Sequence, residues 1–397
     1  MDRRHFMKIA TCSAALTAAG PSMSFAKLPT DKRMVVIILR GGLDGLSAVV
    51  PYGDRAYSGI RSGLALADPN REGGVLALDG MFGLNPAMQP LHDMYRQKQA
   101  MFFQAVHTPY RSRSHFDAQN ILEGGGSRAN GTHDGWLNRT LRVWQRDPNQ
   151  RLGLAVGQQV PFIMYGDTPV ASWSPDNKEM AEDILDQIGR VFMRDPLFAQ
   201  TFTDALRAKA MADRAIGDMR VNGNLRGGGN TQMISALGRM LGAEDGARIA
   251  VAELGGWDTH ANQGTAQGAL ANNLRNLSTG IDTLRTSLGQ DWNKTVVVVM
   301  TEFGRTVEMN GTRGSDHGTA STVMLAGGAL NGGRVIADWP GLDKTRLFAN
   351  RDLAPTMDIR SILKGLLVDH LGIERRDVDR HIFPGSTAAA PQRHLII

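Results

Sequence analysis

Apolar residues in this chain gather into short runs separated by polar, glycine-rich stretches. The runs Met34–Leu39, Ala100–Val106, Leu154–Gly157, Pro161–Tyr165, Ile249–Leu254, Val296–Thr301 and Val323–Ala326 are rich in Val, Ile, Leu and Met. Several are apolar at every position rather than alternating, as strands buried on both faces are. This predicts an α/β fold, a mainly parallel central sheet covered by helices on both faces. Between the runs at Ile249 and Val296, residues Leu270, Leu274, Leu277, Ile281, Leu284 and Leu288 recur at steps of four and three. They form one apolar helical stripe, and strand–helix–strand is the unit of parallel sheets. "DIRSILKGLLVDHLGI" (358–373) predicts an amphipathic closing helix ending at Gly372. The stretch from about 175 to 242 is polar and helical in pattern, broken by Pro196 and by "NGNLRGGGN" (222–230). It reads equally as an insertion over the sheet and as further covering helices.

Composition adds little to this picture until the N-terminus. The 397 residues are 42% hydrophobic and 21% charged, a globular balance, and the net charge of +5 is scattered with no aromatic–basic motif. Nucleic-acid binding is therefore not supported. "MDRRHFMKIATCSAALTAAGPSMSFAKLP" pairs Arg3-Arg4 with a weakly apolar stretch and the small residues Ser24 and Ala26 around Phe25. That is the pattern of a twin-arginine export signal. It predicts a signal over 1–26, a single α/β domain over 27–397, the twin-arginine translocon as a transient partner, and a periplasmic or secreted product. No later segment is apolar enough to span a membrane. The one cysteine, Cys12, falls inside the signal. Thiolate catalysis, cysteine metal ligands and disulfides are thereby excluded from the mature chain.

Candidate chemistry concentrates after the strands, where open α/β sheets bind ligands. "RGGLDGL" sets Asp44 among glycines after the first run. "HTPYRSRSHFDAQNILEGGG" follows the second and offers Arg111, Arg113 and Ser114; Ser114 with Asp117 three residues on predicts a capping box. "GGWDTHANQG" places Asp258 and His260 two apart. "VVVVMTEFGRTVEMNGTRGSDHGTAS" puts Glu302 and Arg305 at a strand tip and returns 14 positions after Glu302 with Asp316, then His317. Each acid or histidine alone has a bland reading as a turn, cap or solvated loop. Glu302 has a salt bridge to Arg305 as its alternative. Four such clusters at one sheet edge argue for a divalent-metal site, in which Glu302 and His317 share an ion.

In this order the parts resemble the alkaline phosphatase/sulfatase superfamily. "RGGLDGL", "SRSHFDAQ", "GGWDTH", "TEFGRT" and "GSDHG" resemble its branch of exported bacterial proteins known mainly as a domain of unknown function. The resemblance implies an alkaline-phosphatase-like fold, one or two divalent ions and Ser114 as nucleophile. The ions would be held by Asp44, Asp258, His260, Glu302, Asp316 and His317. Two departures stand out. Asp258 and His260 are two apart where the superfamily usually has four, and Glu302-Phe303 replaces its Asp-His. A carboxylate-rich set would favour Mg²⁺, Ca²⁺ or Mn²⁺ over Zn²⁺.

The expectation is a metal-dependent hydrolase of small phosphate esters, sulfate esters being less expected because the Cys/Ser-x-Pro-x-Arg pattern is absent. Arg305 or Arg111 would hold the non-bridging oxygens. His115 and His107 offer proton shuttles, with nothing in the sequence to assign that role. The competing expectation is a non-catalytic exported protein that keeps the fold and a metal for binding or assembly.

Overall fold

Among the described residues, every strand of the main sheet but one runs the same way. The nine strands are β1 (Arg33–Leu39), β2 (Ala100–His107), β3 (Gly153–Val156), β4 (Ala171–Trp173), β5 (Ile249–Leu254), β6 (Thr295–Thr301), β7 (Ser321–Ala326), β8 (Arg334–Ile336) and β9 (Met357–Asp358). Their order is β8-β2-β7-β6-β1-β5-β3-β4, with β9 continuing beside β8 along β2. Only β7 is reversed, pairing antiparallel with both β2 and β6. The computed structural model describes residues 31–145, 152–157, 159–174, 182–195, 199, 202, 203, 206, 229–243 and 246–397. The export-signal expectation, with Arg3, Arg4 and Cys12, and the glycine-rich 222–228 lie outside the described residues.

The unbroken apolar runs become strands buried on both faces. In β1, Val35, Ile37 and Leu39 enter one core while Met34, Val36 and Ile38 enter the other, all at 0% exposure. The first core is closed by α1 (Gln89–Arg96), α5 (Gly229–Gly242) and α6 (Ala269–Leu288); the second by α3 (Trp136–Trp144) and α7 (Ile359–Asp369). The predicted stripe Leu270, Leu274, Leu277, Ile281, Leu284 and Leu288 is buried along α6. α5 packs against it, and from 175–242 the described residues also hold α4 (Glu182–Phe192).

Two local expectations are corrected. Pro161–Tyr165 is no strand: Phe162–Met164 form one 3₁₀ turn. Pro161 brings no N–H to a ladder, and the Ile163 N–H donates to Glu123 instead, at 2.9 Å. The capping box also fails to form. Ser114 stands at the N-cap of α2 (His115–Gly124), but its side chain makes no capping bond. Asp117 accepts from the Tyr110 hydroxyl instead, at 2.9 Å. Sequence patterning also misses the edge strands β4, β8 and β9, which at two or three residues are too short to carry a pattern.

Candidate metal centre

Five neighbouring strand ends meet in one polar cluster. β2 leads through a turn to His115, the first residue of α2. β5 leads through Gly255-Gly256 to Asp258 and His260, and β6 to Glu302 and Arg305. Because β7 is antiparallel, the segment entering it carries Asp316 and His317 to the same edge. β1 contributes Gly41, whose φ is +123° and whose N–H donates to Glu302 Oε1 at 2.9 Å. A Cβ at Gly41 would collide with the Asp258 backbone nitrogen, so only glycine fits.

The imidazoles fix the chemistry. His115 Nδ1 lies 2.9 Å from Glu302 Oε1, His260 Nδ1 3.0 Å from Asp316 Oδ1, and His317 Nδ1 3.2 Å from the Arg113 carbonyl. These partners are acceptors, so each ring carries its proton on Nδ1 and turns the Nε2 lone pair inward. Yet His317 Nε2 lies 3.0 Å from both His115 Nε2 and His260 Nε2, and 3.2 Å from Asp258 Oδ1. Asp258 completes the ring of contacts, 3.1 Å from His260 Nε2 and 3.6 Å from His115 Nε2. A proton on His115 explains one of these approaches and leaves the others repulsive. One divalent cation between His115, Asp258 and His317 would satisfy the approaches among those three. Ligands about 2.0–2.1 Å from a tetrahedral ion stand about 3.3 Å apart, close to the spacing found. Ligand atoms of His115, Asp258 and His317 all lie within 4.8 Å of one another, and His260 flanks that trio. The donor set therefore fits an ion.

The surroundings keep the two acids ionised and push two of the rings in opposite directions. Burial pushes the Glu302 carboxyl up, but bonds from His115, Gln119 and Gly41 outweigh it and leave it below the usual range. Burial likewise opposes, and Arg305 outweighs, in lowering Asp258; Arg305 Nη1 reaches Asp258 Oδ1 at 2.5 Å. The bond to Glu302 raises His115, whereas burial and then the neighbouring His115 lower His317.

The family model described as "Protein of unknown function (DUF1501)" matches residues 31–382, which include every residue of this cluster. The chain belongs to the DUF1501 family. A search of curated protein sequences gives no match. Among solved structures, Ps i-CgsB in complex with k-i-k-neocarrahexaose is 9% identical, with 91% of this chain and 77% of that one covered at a TM-score of 0.41. The phosphonate monoester hydrolase of Agrobacterium radiobacter is 9% identical, covering 86% and 74% at 0.36. A TAB5 alkaline phosphatase mutant with Mg bound is 12% identical, covering 77% and 94% at 0.35.

In this DUF1501 chain the residues singled out by sequence have different fates. Asp258, His260 and His317 meet at the centre. Glu302 and Asp316 sit one layer out, each gripping an Nδ1. Arg305, buried, donates to Asp258, to the Gly41 carbonyl at 3.2 Å and to the Ser315 carbonyl, so it forms no pair with Glu302. Asp44 is engaged elsewhere. Its carboxylate, 1% exposed, takes Arg61 Nη2 at 2.6 Å, Gln263 Nε2 at 2.6 Å and the Ser47 hydroxyl at 2.8 Å. Arg111 is likewise turned away, onto the Thr108 and Tyr110 carbonyls and His107 Nδ1. Ser114 directly precedes His115, and its hydroxyl makes no capping bond to α2. His115, considered in the sequence only as a proton shuttle, occupies a ligand position. Its sole local signal was its place at the start of the helix after β2.

Proposed function

We propose that the mature chain is an exported, metal-dependent hydrolase of phosphate esters, working with one divalent ion held by His115, Asp258, His317 and the flanking His260. The observation that supports this most is the convergence of three Nε2 lone pairs on one carboxylate, each Nδ1 being anchored. Three imidazoles and a carboxylate suit a zinc-type ion better than the harder ions expected from the sequence. A second ion is not called for, because Arg61 already neutralises Asp44. When bound, the ion supplies a Lewis acid that polarises the phosphoryl group and offsets its developing charge.

The chain's residues do the rest. Asp258 stays ionised because Arg305 is beside it. Glu302 and Asp316 keep His115 and His260 in the tautomer that presents Nε2. Ser114 offers its hydroxyl at the N-terminus of α2, where free amides favour negative charge. Its oxygen would bond to phosphorus as the ester P–O bond breaks, the departing alcohol ending with the proton. Water would then bond to phosphorus as the Ser114 O–P bond breaks, releasing inorganic phosphate and returning the proton to Ser114. The exported state rests on the Arg3-Arg4 signal; among the described residues no helix is long and apolar enough to cross a membrane.

The test is metal content of protein purified after export, followed by hydrolysis of aryl phosphates and aryl sulfates with and without added zinc. Zinc-dependent phosphatase activity that Ser114→Ala abolishes is the expected outcome. Bound zinc with no hydrolysis of either ester class would favour a non-catalytic metal protein.

A further inference from the structure

The geometry points to a tetrahedral-oxyanion subsite beside the metal centre, with Arg351 as its anchor. Arg351 Nη1 donates to the His317 carbonyl at 2.9 Å and to Asp352 Oδ1 at 3.2 Å. No other bond engages it among the described residues, so Nη2 and Nε remain available, and its side chain is 40% exposed. The guanidinium is thus fixed through Nη1 to the backbone of a ligand residue, while Nη2 and Nε carry no bond among the described residues. A fork of this kind matches two oxygens of a phosphate or sulfate group.

The charge balance supports the same reading. Asp352 is fully buried and accepts from Arg113 Nε at 2.8 Å, from the Thr319 hydroxyl at 2.8 Å and from Arg351. One carboxylate therefore serves two guanidinium groups, which leaves one positive charge over. At the centre itself Asp258, Glu302 and Asp316 face one cation, Arg305. These groups total −2 with the rings neutral, and −1 when the surplus charge of the Arg113, Arg351 and Asp352 group is included; a divalent ion turns that combined total to +1. Empty, the cluster repels an anion, and loaded, it attracts one with Arg351 at its flank.

Backbone geometry explains how Arg351 and Arg113 are held. Arg113 has φ of +63°, a left-handed conformation costly for a residue with a Cβ. That conformation coincides with its carbonyl meeting His317 Nδ1 and its guanidinium meeting Asp352, a place where strain is tolerated for position. Substrate affinity is then set by Arg351, while Arg113 acts as a positioning residue for His317.

This subsite rests on the metal reading above, and the experiment separates the two. Inorganic phosphate, and in parallel sulfate, is titrated calorimetrically into zinc-loaded wild-type protein, Arg351→Ala and Arg351→Gln, with zinc affinity measured on each. Gln keeps a donor for the His317 carbonyl and serves if Ala fails to fold. The expected result is at least about a tenfold loss of anion affinity in both variants, the scale of one charge-assisted hydrogen bond, with zinc affinity within about twofold of wild type. Stronger binding of phosphate than sulfate, or the reverse, names the ester class. Unchanged anion affinity in a folded, zinc-loaded variant overturns the subsite and leaves the metal centre standing. Failure of the wild type to bind zinc overturns both.

Discussion

Two clusters of polar groups, one buried around Asp44 and one partly exposed around Asp258, share one edge of the sheet, and they differ in how their lone pairs are met. Around Asp44, every acceptor finds a protein donor: Arg61 and Gln263 at 2.6 Å and the Ser47 hydroxyl at 2.8 Å. Arg61 goes on to donate to the Val307 carbonyl at 3.0 Å. Around Asp258, acceptors face acceptors, with two Nε2–Nε2 approaches of 3.0 Å. In the first cluster the cation Arg61 meets the acid. In the second Arg305 meets Asp258, while the three imidazole Nε2 atoms are left facing one another. An acid at a strand tip is therefore not by itself a candidate ligand; what marks the candidate site is a set of imidazole lone pairs that no protein donor meets.

The comparison breaks most visibly under substitution at the centre. His115→Ala and His317→Ala should each weaken zinc binding by more than about a hundredfold, beyond the 10–100-fold typical of residues that only orient a ligand. The double variant should lose little more, since both act on one ion. Calorimetric titration against a competing chelator reads both. Asp44→Ala should do the opposite. It strands the buried Arg61 charge and should cost about 3–5 kcal/mol of stability, seen in denaturant unfolding, while zinc still binds one to one. Loss of zinc binding in folded Asp44→Ala would place Asp44 in the ligand set and undo the contrast.

Glu302→Gln is a finer test. The amide still accepts from His115 Nδ1 but without charge, so zinc affinity should fall about tenfold. A loss as large as that of His317→Ala would instead make Glu302 a ligand.

Proton competition separates the two clusters by pH. Zinc needs each Nε2 free of its proton, so affinity falls as pH drops through the imidazole range, near 6.5. His115, raised by Glu302, takes up its proton before His317, which burial lowers. Asp44 behaves differently. Burial opposes its ionisation, but Arg61 and Gln263 win and hold it below its ordinary 3.8. Its contribution to stability is present above that value and is lost only as pH falls through the lower folded one. At about pH 5, zinc affinity should already be reduced severalfold or more while the Asp44–Arg61 pair is intact. Zinc affinity is the proper readout in this window, because stability itself declines there through His370. That buried ring is pushed down to about 4 and stays neutral after the unfolded chain has taken up its proton.

Much of the architecture was legible because the signal was local. Val296–Met300 is apolar without interruption and becomes a central strand with both faces covered, and the six-residue stripe of α6 is buried as its spacing predicts. The edge strands were not legible, since Arg334–Ile336 is short and only half-buried. At the site, residue type told where acids and histidines lay but not which layer each would occupy. Glu302 and His317 both looked like ligands, yet Glu302 reaches the centre through the His115 ring. His115 itself, one histidine in a helix's first turn, acquires meaning only when β7 lies reversed between β2 and β6 and brings His317 to it. Arg61, which takes Asp44 out of the ligand set, is 17 residues downstream with no pattern to link the two.

The most direct measurement is a zinc-soaked crystal structure with an anomalous difference map collected at the zinc edge. One peak per chain is predicted, about 2.0–2.2 Å from His115 Nε2, His317 Nε2 and an Asp258 oxygen, with no peak against Asp44. A map with no peak in that cluster, or with an ion seated on Asp44, would contradict the account.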